Sequence, residues 1–140
     1  MSHYAQTKWS PCLLSVLRII TGFLFTAHGA QKLLGFPVAS PHPTELFSLI
    51  GLAGTLELVG GFLVFLGLFT RPAAFILSGL MAFAYFIGHA KHGFWPIVNH
   101  GELAVLYCFL FLYLSAAGGG PWSLDRFRCS PKNRASAGQS

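Results

Sequence analysis

The chain has 140 residues, of which 54% are hydrophobic and 9% charged, with a mean hydropathy of +0.60 and a formal net charge of +5. Soluble domains carry about 25% charged residues, so these few charges cannot cover a water-exposed globule, and the composition points to a membrane protein. The basic balance does not argue for nucleic acid either, because four of the nine Lys and Arg residues fall in the last fifteen positions, where a juxtamembrane tail would carry them.

Residues 1–11 read as a cytoplasmic lead segment, followed by a first apolar stretch over 12–34, long enough for a spanning helix. A cleaved signal peptide is the competing reading of residues 8–30. Against it, Arg18 interrupts the would-be apolar core and the hydrophobic run continues to Leu34. Gly35-Phe36-Pro37 and Pro41-His42-Pro43 break the chain into a loop. The second stretch, 46–69, is interrupted only by Glu57. Thr70-Arg71-Pro72 makes a tight connection, with Thr70 the expected N-cap. The third stretch covers 72–89 and the fourth 101–117, stopped by Gly118-Gly119-Gly120-Pro121. Residues 128–140 have almost no apolar content and are expected to be a disordered basic tail.

The predicted fold is therefore all-α, a bundle of four transmembrane helices over residues 12–127. With both termini on one side, that side holds Lys8, Arg18, Arg71, Arg126, Arg128, Lys132 and Arg134, and the other only Lys32 and Lys91. Basic residues accumulate on the cytoplasmic side, so both termini are expected there. Cys12, Cys108 and Cys129 form neither CxxC nor CxxCH. No covalent haem, redox thiol pair or metal site is expected from them.

Ionisable groups in apolar helices are costly and face the bundle interior or a cavity. At about 100° per residue, Arg18, Thr21, Phe25, His28 and Lys32 share a stripe of the first helix, with Gln31 at its flank. Gly51, Gly54, Glu57 and Gly61 share a face of the second helix, which allows close approach and turns Glu57 inward. Ala74, Ser78, Ala82, Tyr85 and His89 line the third helix, and Asn99, His100 and Glu102 stand before the fourth. Chain direction gathers His28, Gln31, Lys32, Glu57, His89 and Glu102 into the outer half of the bundle, with Glu57 as the floor. These six are the candidate cavity residues. Arg18 lies near the inner surface and reads as structural, and His92 and His100 read as solvated loop residues.

The ordered series Arg18-Ile19-Ile20-Thr21-Gly22, His28-Gly29-Ala30-Gln31-Lys32-Leu33-Leu34-Gly35-Phe36, Glu57-Leu58-Val59-Gly60-Gly61 and Gly67-Leu68-Phe69-Thr70-Arg71 resembles the DoxX family of small bacterial membrane proteins. The match continues through His89, Gly93-Phe94-Trp95, Asn99 to Ala104 and Gly120-Pro121-Trp122-Ser123-Leu124-Asp125. The resemblance implies a four-helix bundle in the bacterial inner membrane and a place in a membrane oxidoreductase complex. It also implies kinship with a subunit resembling that of thiosulfate:quinone oxidoreductase, although this chain lacks the extra domain of a complete thiosulfate-oxidising enzyme.

Two functions follow as expectations. In one, the chain is an oxidoreductase subunit whose outer cavity binds quinone, with electrons supplied by a redox-protein partner because no haem, flavin or iron–sulfur motif is present. His28, His89, Glu57 and Glu102 would exchange protons, and Gln31 and Lys32 would donate to a developing oxyanion. In the other it is a non-catalytic scaffold, assembly factor or small-molecule carrier. Its surroundings are the lipid bilayer and either a redox partner or further copies of itself.

Overall fold

The computed structural model describes residues 9–38 and 45–128, and the expected lead segment to residue 8 and the tail from residue 129 lie outside the described residues. The described chain is helical: α1 (Ser10–Leu34), α2 (Leu49–Leu66), α3 (Thr70–Ala84), α4 (Pro96–Asn99), α5 (Glu102–Ala117) and α6 (Leu124–Arg128). α3 runs on through one π-helical turn, Tyr85–His89, and a 3-10 turn, Ala90–His92. Three helical segments, Ser10–Leu34, Leu49–Leu66 and Thr70–His92, are long and apolar enough to cross a membrane. α5 is shorter at 16 residues, a rise of about 24 Å, and lies along α3.

Local chemistry sets most helix ends. The Ser48 hydroxyl accepts from Gly51 N at 3.1 Å, an N-cap that starts α2 three residues later than the apolar run begins. α1 and α2 end on Gly35 (φ 65°) and Gly67 (φ 70°), left-handed positions that suit glycine. α3 is capped differently from the sequence expectation. The carboxylate of Asp125 accepts from the amides of Phe69 (2.7 Å) and Thr70 (2.8 Å), while the Thr70 hydroxyl has no partner among the described residues. A residue far along the chain thus satisfies donors that a local side chain was expected to take.

Two close helix pairs make the bundle, α1 with α2 and α3 with α5, and α2 touches α3 less extensively. Glycine sets the first pair. A Cβ at Gly22 would lie 2.4 Å from the Phe65 amide nitrogen, and one at Gly29 would lie 2.3 Å from that of Leu58. Backbone packs on backbone there, as small residues permit in lipid. Phe25, Val64, Leu77, Phe111 and Leu114 are buried between the pairs, and the Phe25 and Phe111 rings meet edge-on at 4.7 Å. The outward faces carry exposed Phe23, Phe62, Phe75, Phe83, Leu106 and Phe109, a surface suited to acyl chains and not to water.

Arg18 closes the end of the bundle at which α1 begins, called proximal below. It is wholly buried. Nε donates to Gly119 O (2.8 Å), Nη1 to Val64 O (2.7 Å) and to Phe65 O, and Nη2 to Trp122 O (2.8 Å). One guanidinium therefore binds the last turn of α2 and the glycine-rich segment after α5, the structural role that its position predicted.

Candidate functional site

The distal end, where α1 finishes and α5 starts, brings together ionisable side chains of α1, α2 and the turn that follows α3. Glu57, at the middle of α2, is only 3% exposed. Its Oε1 lies 2.6 Å from Lys32 Nζ, which reaches across from the last turn of α1. Oε2 is buried with no hydrogen-bond partner among the described residues. A buried carboxylate oxygen left unpaired costs free energy, so Glu57 is half-satisfied in a place where burial is expensive.

Glu57 borders a cavity of about 250 Å³. His28 and Lys32 line it from α1, and Met81, Ala84 and His89 from α3 and its π-helical turn. Leu103, Ala104 and Tyr107 close it from α5, with His100 at the α4–α5 connection. Lys32, Ala84 and His89 also border a second hollow of about 310 Å³ between α2 and α3, which is otherwise apolar, with Leu49, Leu52, Leu56, Phe83 and Ile87 among its walls. The two hollows share these three side chains.

The loop after α3 holds His89 in place. Its Nδ1 lies 3.0 Å from Asn99 O. A carbonyl can only accept, so this contact assigns the proton to Nδ1 and leaves Nε2 of the neutral ring as an acceptor. Asn99 is itself buried. Its Nδ2 donates to Gly93 O at 2.6 Å and its Oδ1 accepts from Gly101 N at 2.8 Å, while Tyr85 donates its hydroxyl proton to Phe94 O. Tyr85 and Asn99 thus fold residues 93–101 back over the bundle and bring His100 to the cavity.

Of the six residues expected to share a cavity, His28, Lys32, Glu57 and His89 do. His28 stands at the margin, exposed, with its ring 6.4 Å from that of Tyr107 and edge-on to it. Gln31 is exposed and lines neither hollow. Glu102 opens onto a different surface, a hollow bordered by Pro96, Val105 and Phe109. Tyr107 and His100 are cavity residues that were not anticipated. Tyr107 carries no charge to mark it in an apolar helix, although it falls one helical turn from Ala104 and from Phe111 on the buried face of α5.

The arrangement supplies acceptors at Glu57 Oε2 and His89 Nε2, a cation at Lys32, and a largely apolar hollow next to the cavity. Comparison with known proteins places the chain among relatives of similar length. It is 46% identical over 123 residues to an uncharacterized protein of Haemophilus influenzae, covering 84% of this chain and 92% of the relative. It is 32% identical over 130 residues to an uncharacterized membrane protein of Mycobacterium tuberculosis, covering 79% of this chain and 77% of that one. A Bacillus subtilis relative named "Putative oxidoreductase CatD" is 29% identical over 119 residues, with 80% of this chain and 84% of the relative covered. No solved structure matches the chain. The sequence profile of the DoxX family matches residues 13–90, and this, with the apolar helices of the bundle, makes the chain a multi-pass membrane protein that belongs to the DoxX family.

Proposed function

We propose that this protein is a subunit or partner of a redox complex in the bacterial inner membrane, and that its distal cavity takes the head group of a quinone-type molecule. One observation carries the reading: Glu57 is buried, ion-paired through one oxygen, and unpartnered at the other beside a cavity. A quinol hydroxyl supplies the donor that Oε2 lacks, and the acceptor nitrogen of His89 suits the second hydroxyl. The cavity, at about 250 Å³, is smaller than the roughly 300–1,000 Å³ of pockets that enclose whole drug-sized ligands. It suits a head group whose apolar tail lies in the neighbouring hollow between α2 and α3. The redox step balances as quinone plus two electrons and two protons giving quinol. Glu57 and His89 exchange the protons, and a redox-protein partner exchanges the electrons. The name of the Bacillus subtilis relative supports a redox setting.

The Lys32–Glu57 pair also favours a second reading, in which it ties α1 to α2 in a non-catalytic scaffold, assembly factor or carrier. The full chain, purified from bacterial membranes, separates the two. Solvent extraction should yield near-stoichiometric quinone, and a short-chain quinol should bind. Glu57→Gln keeps the side-chain shape but loses a charge-assisted hydrogen bond, about 1.5–3 kcal/mol or roughly ten- to a hundredfold in affinity, with little change in melting temperature. Absence of extractable quinone together with unchanged quinol affinity in Glu57→Gln would refute the quinone reading.

A further inference from the structure

The proximal end carries a second feature, independent of the distal cavity. A hollow of about 520 Å³ lies between the α2–α3 connection and the segment that follows α5, and Arg71, Arg126 and Arg128 all border it. The three are exposed, and the one ion pair among the described residues is Lys32–Glu57, so none of them is paired with a carboxylate there. Arg128 is stationed over the Phe69 ring, 4.6 Å from its centroid. The Arg71 guanidinium lies beside Gly118, where a Cβ would sit 3.4 Å from Nε. Asp125, the only acidic residue at this hollow, already accepts from the amides of Phe69 and Thr70. Behind it, the Arg18 guanidinium adds a further buried positive charge. Trp122, Leu124 and Phe127, next to the basic residues in sequence, are exposed and apolar.

We propose that this hollow binds the phosphate of an anionic phospholipid headgroup. Guanidinium groups match phosphate oxygens with paired donors, and three converge here from two distant segments. A bias that only oriented the chain in the membrane would need arginines on this side, but not three of them around one hollow. The choice of a lipid over a soluble anion rests on the apolar flank: Trp122, Leu124 and Phe127 offer acyl chains a surface beside the charges, at the end of membrane-spanning helices.

The test uses the full-length protein in nanodiscs of phosphatidylcholine, with and without phosphatidylglycerol, and native mass spectrometry of the lipid retained. Phosphatidylglycerol should raise the melting temperature and stay bound after the bulk lipid is stripped. One Arg near an anionic surface is worth about fivefold in partitioning, so three account for roughly a hundredfold. The combined variant Arg71→Gln/Arg126→Gln/Arg128→Gln should lose that retention and the melting increment while melting normally in phosphatidylcholine. The single variants, each losing about fivefold, keep the test intact should the combined variant fail to fold. Equal retention by wild type and variants would overturn the proposal. So would a shift of the same size with inorganic phosphate in phosphatidylcholine nanodiscs, which would make the site one for a free anion.

Discussion

Arg18 offers the sharpest test of how the bundle is held together. Replacing it with Met keeps most of the side-chain volume and removes every donor. Its two fully buried hydrogen bonds run to Gly119 O and Val64 O at 2.8 and 2.7 Å. Hydrogen bonds from a charged donor are worth about 1.5–3 kcal/mol each, which puts the two at roughly 3–6 kcal/mol. Val64 O also accepts from Gly67 N at 3.0 Å and is not stranded when Arg18 goes. Relief of the buried charge offsets a further part of the loss, so a net cost of about 2–4 kcal/mol, below the gross figure, is expected. Against the 5–15 kcal/mol typical of whole domains, roughly, that is a large fraction. The assay is equilibrium unfolding in mixed micelles, read by circular dichroism and tryptophan fluorescence. Arg18→Lys keeps the charge but cannot span the carbonyls of two segments at once, and should fall between wild type and Met. If Arg18→Met unfolds within about 1 kcal/mol of wild type, less than a single such bond, water serves those carbonyls equally well and the clamp argument is wrong.

Three further outcomes are expected. Gly22→Ala should cost about 1–3 kcal/mol through overpacking, because its Cβ would meet the Phe65 backbone, whereas Gly79→Ala, with nothing within 4 Å, should be neutral or gain up to about 1 kcal/mol in helix propensity; thermal unfolding of the two variants compares them directly. Burial alone would push the Asp125 carboxyl up, but the amides of Thr70 and Phe69 and the charge of Arg128 outweigh it and hold the group below its ordinary value of 3.8. Its contribution, about 1 kcal/mol as a helix cap, should therefore be complete above that pH and fade only as the pH falls further, so the stability gap between wild type and Asp125→Ala should be constant near neutrality and close in acid. Reporter fusions after Arg128 should read cytoplasmic, and those near Pro96 external, and the reverse result would refute the orientation argued from the basic residues.

The sequence disclosed Glu57 because a carboxylate within an apolar run has few explanations, and its glycine-lined face showed which way it turns. Lys32 followed from the stripe on α1, since a residue near the helix end on the same face as Arg18 and Phe25 can only reach inward or snorkel. Depth and face arithmetic worked less well at the edges. Gln31 lies about 100° around α1 from Lys32, which is enough to turn it out of the cavity. Glu102 sits about 140° from Tyr107 on α5, so the buried face defined by Ala104, Tyr107, Phe111 and Leu114 excludes it. Only the contact between α3 and α5 says which face that is. The partners of Arg18 and Asp125 were illegible for a different reason: they are backbone carbonyls and amides, which every residue possesses and no sequence pattern marks.

That difference in partner separates the two ends of the molecule. At the proximal end, Arg18 and Asp125 are committed to main-chain groups, Arg18 to the last turn of α2 and the segment after α5, Asp125 to the first amides of α3. Neither can change partner without loosening the ends of α2 and α3, so a role in chemistry would be paid for in fold. At the distal end the ion pair joins two side chains, and no backbone group depends on it. Lys32 is still about one-third exposed while Glu57 is buried, so the pair is lopsided: one member can turn toward solvent and the other cannot. A donor arriving at Glu57 Oε2 would satisfy the oxygen that the fold leaves bare, without displacing Lys32 from Oε1. A guest that hydrogen-bonds at the distal end would therefore disturb little of the frame, which Arg18 and Asp125 hold at the proximal end.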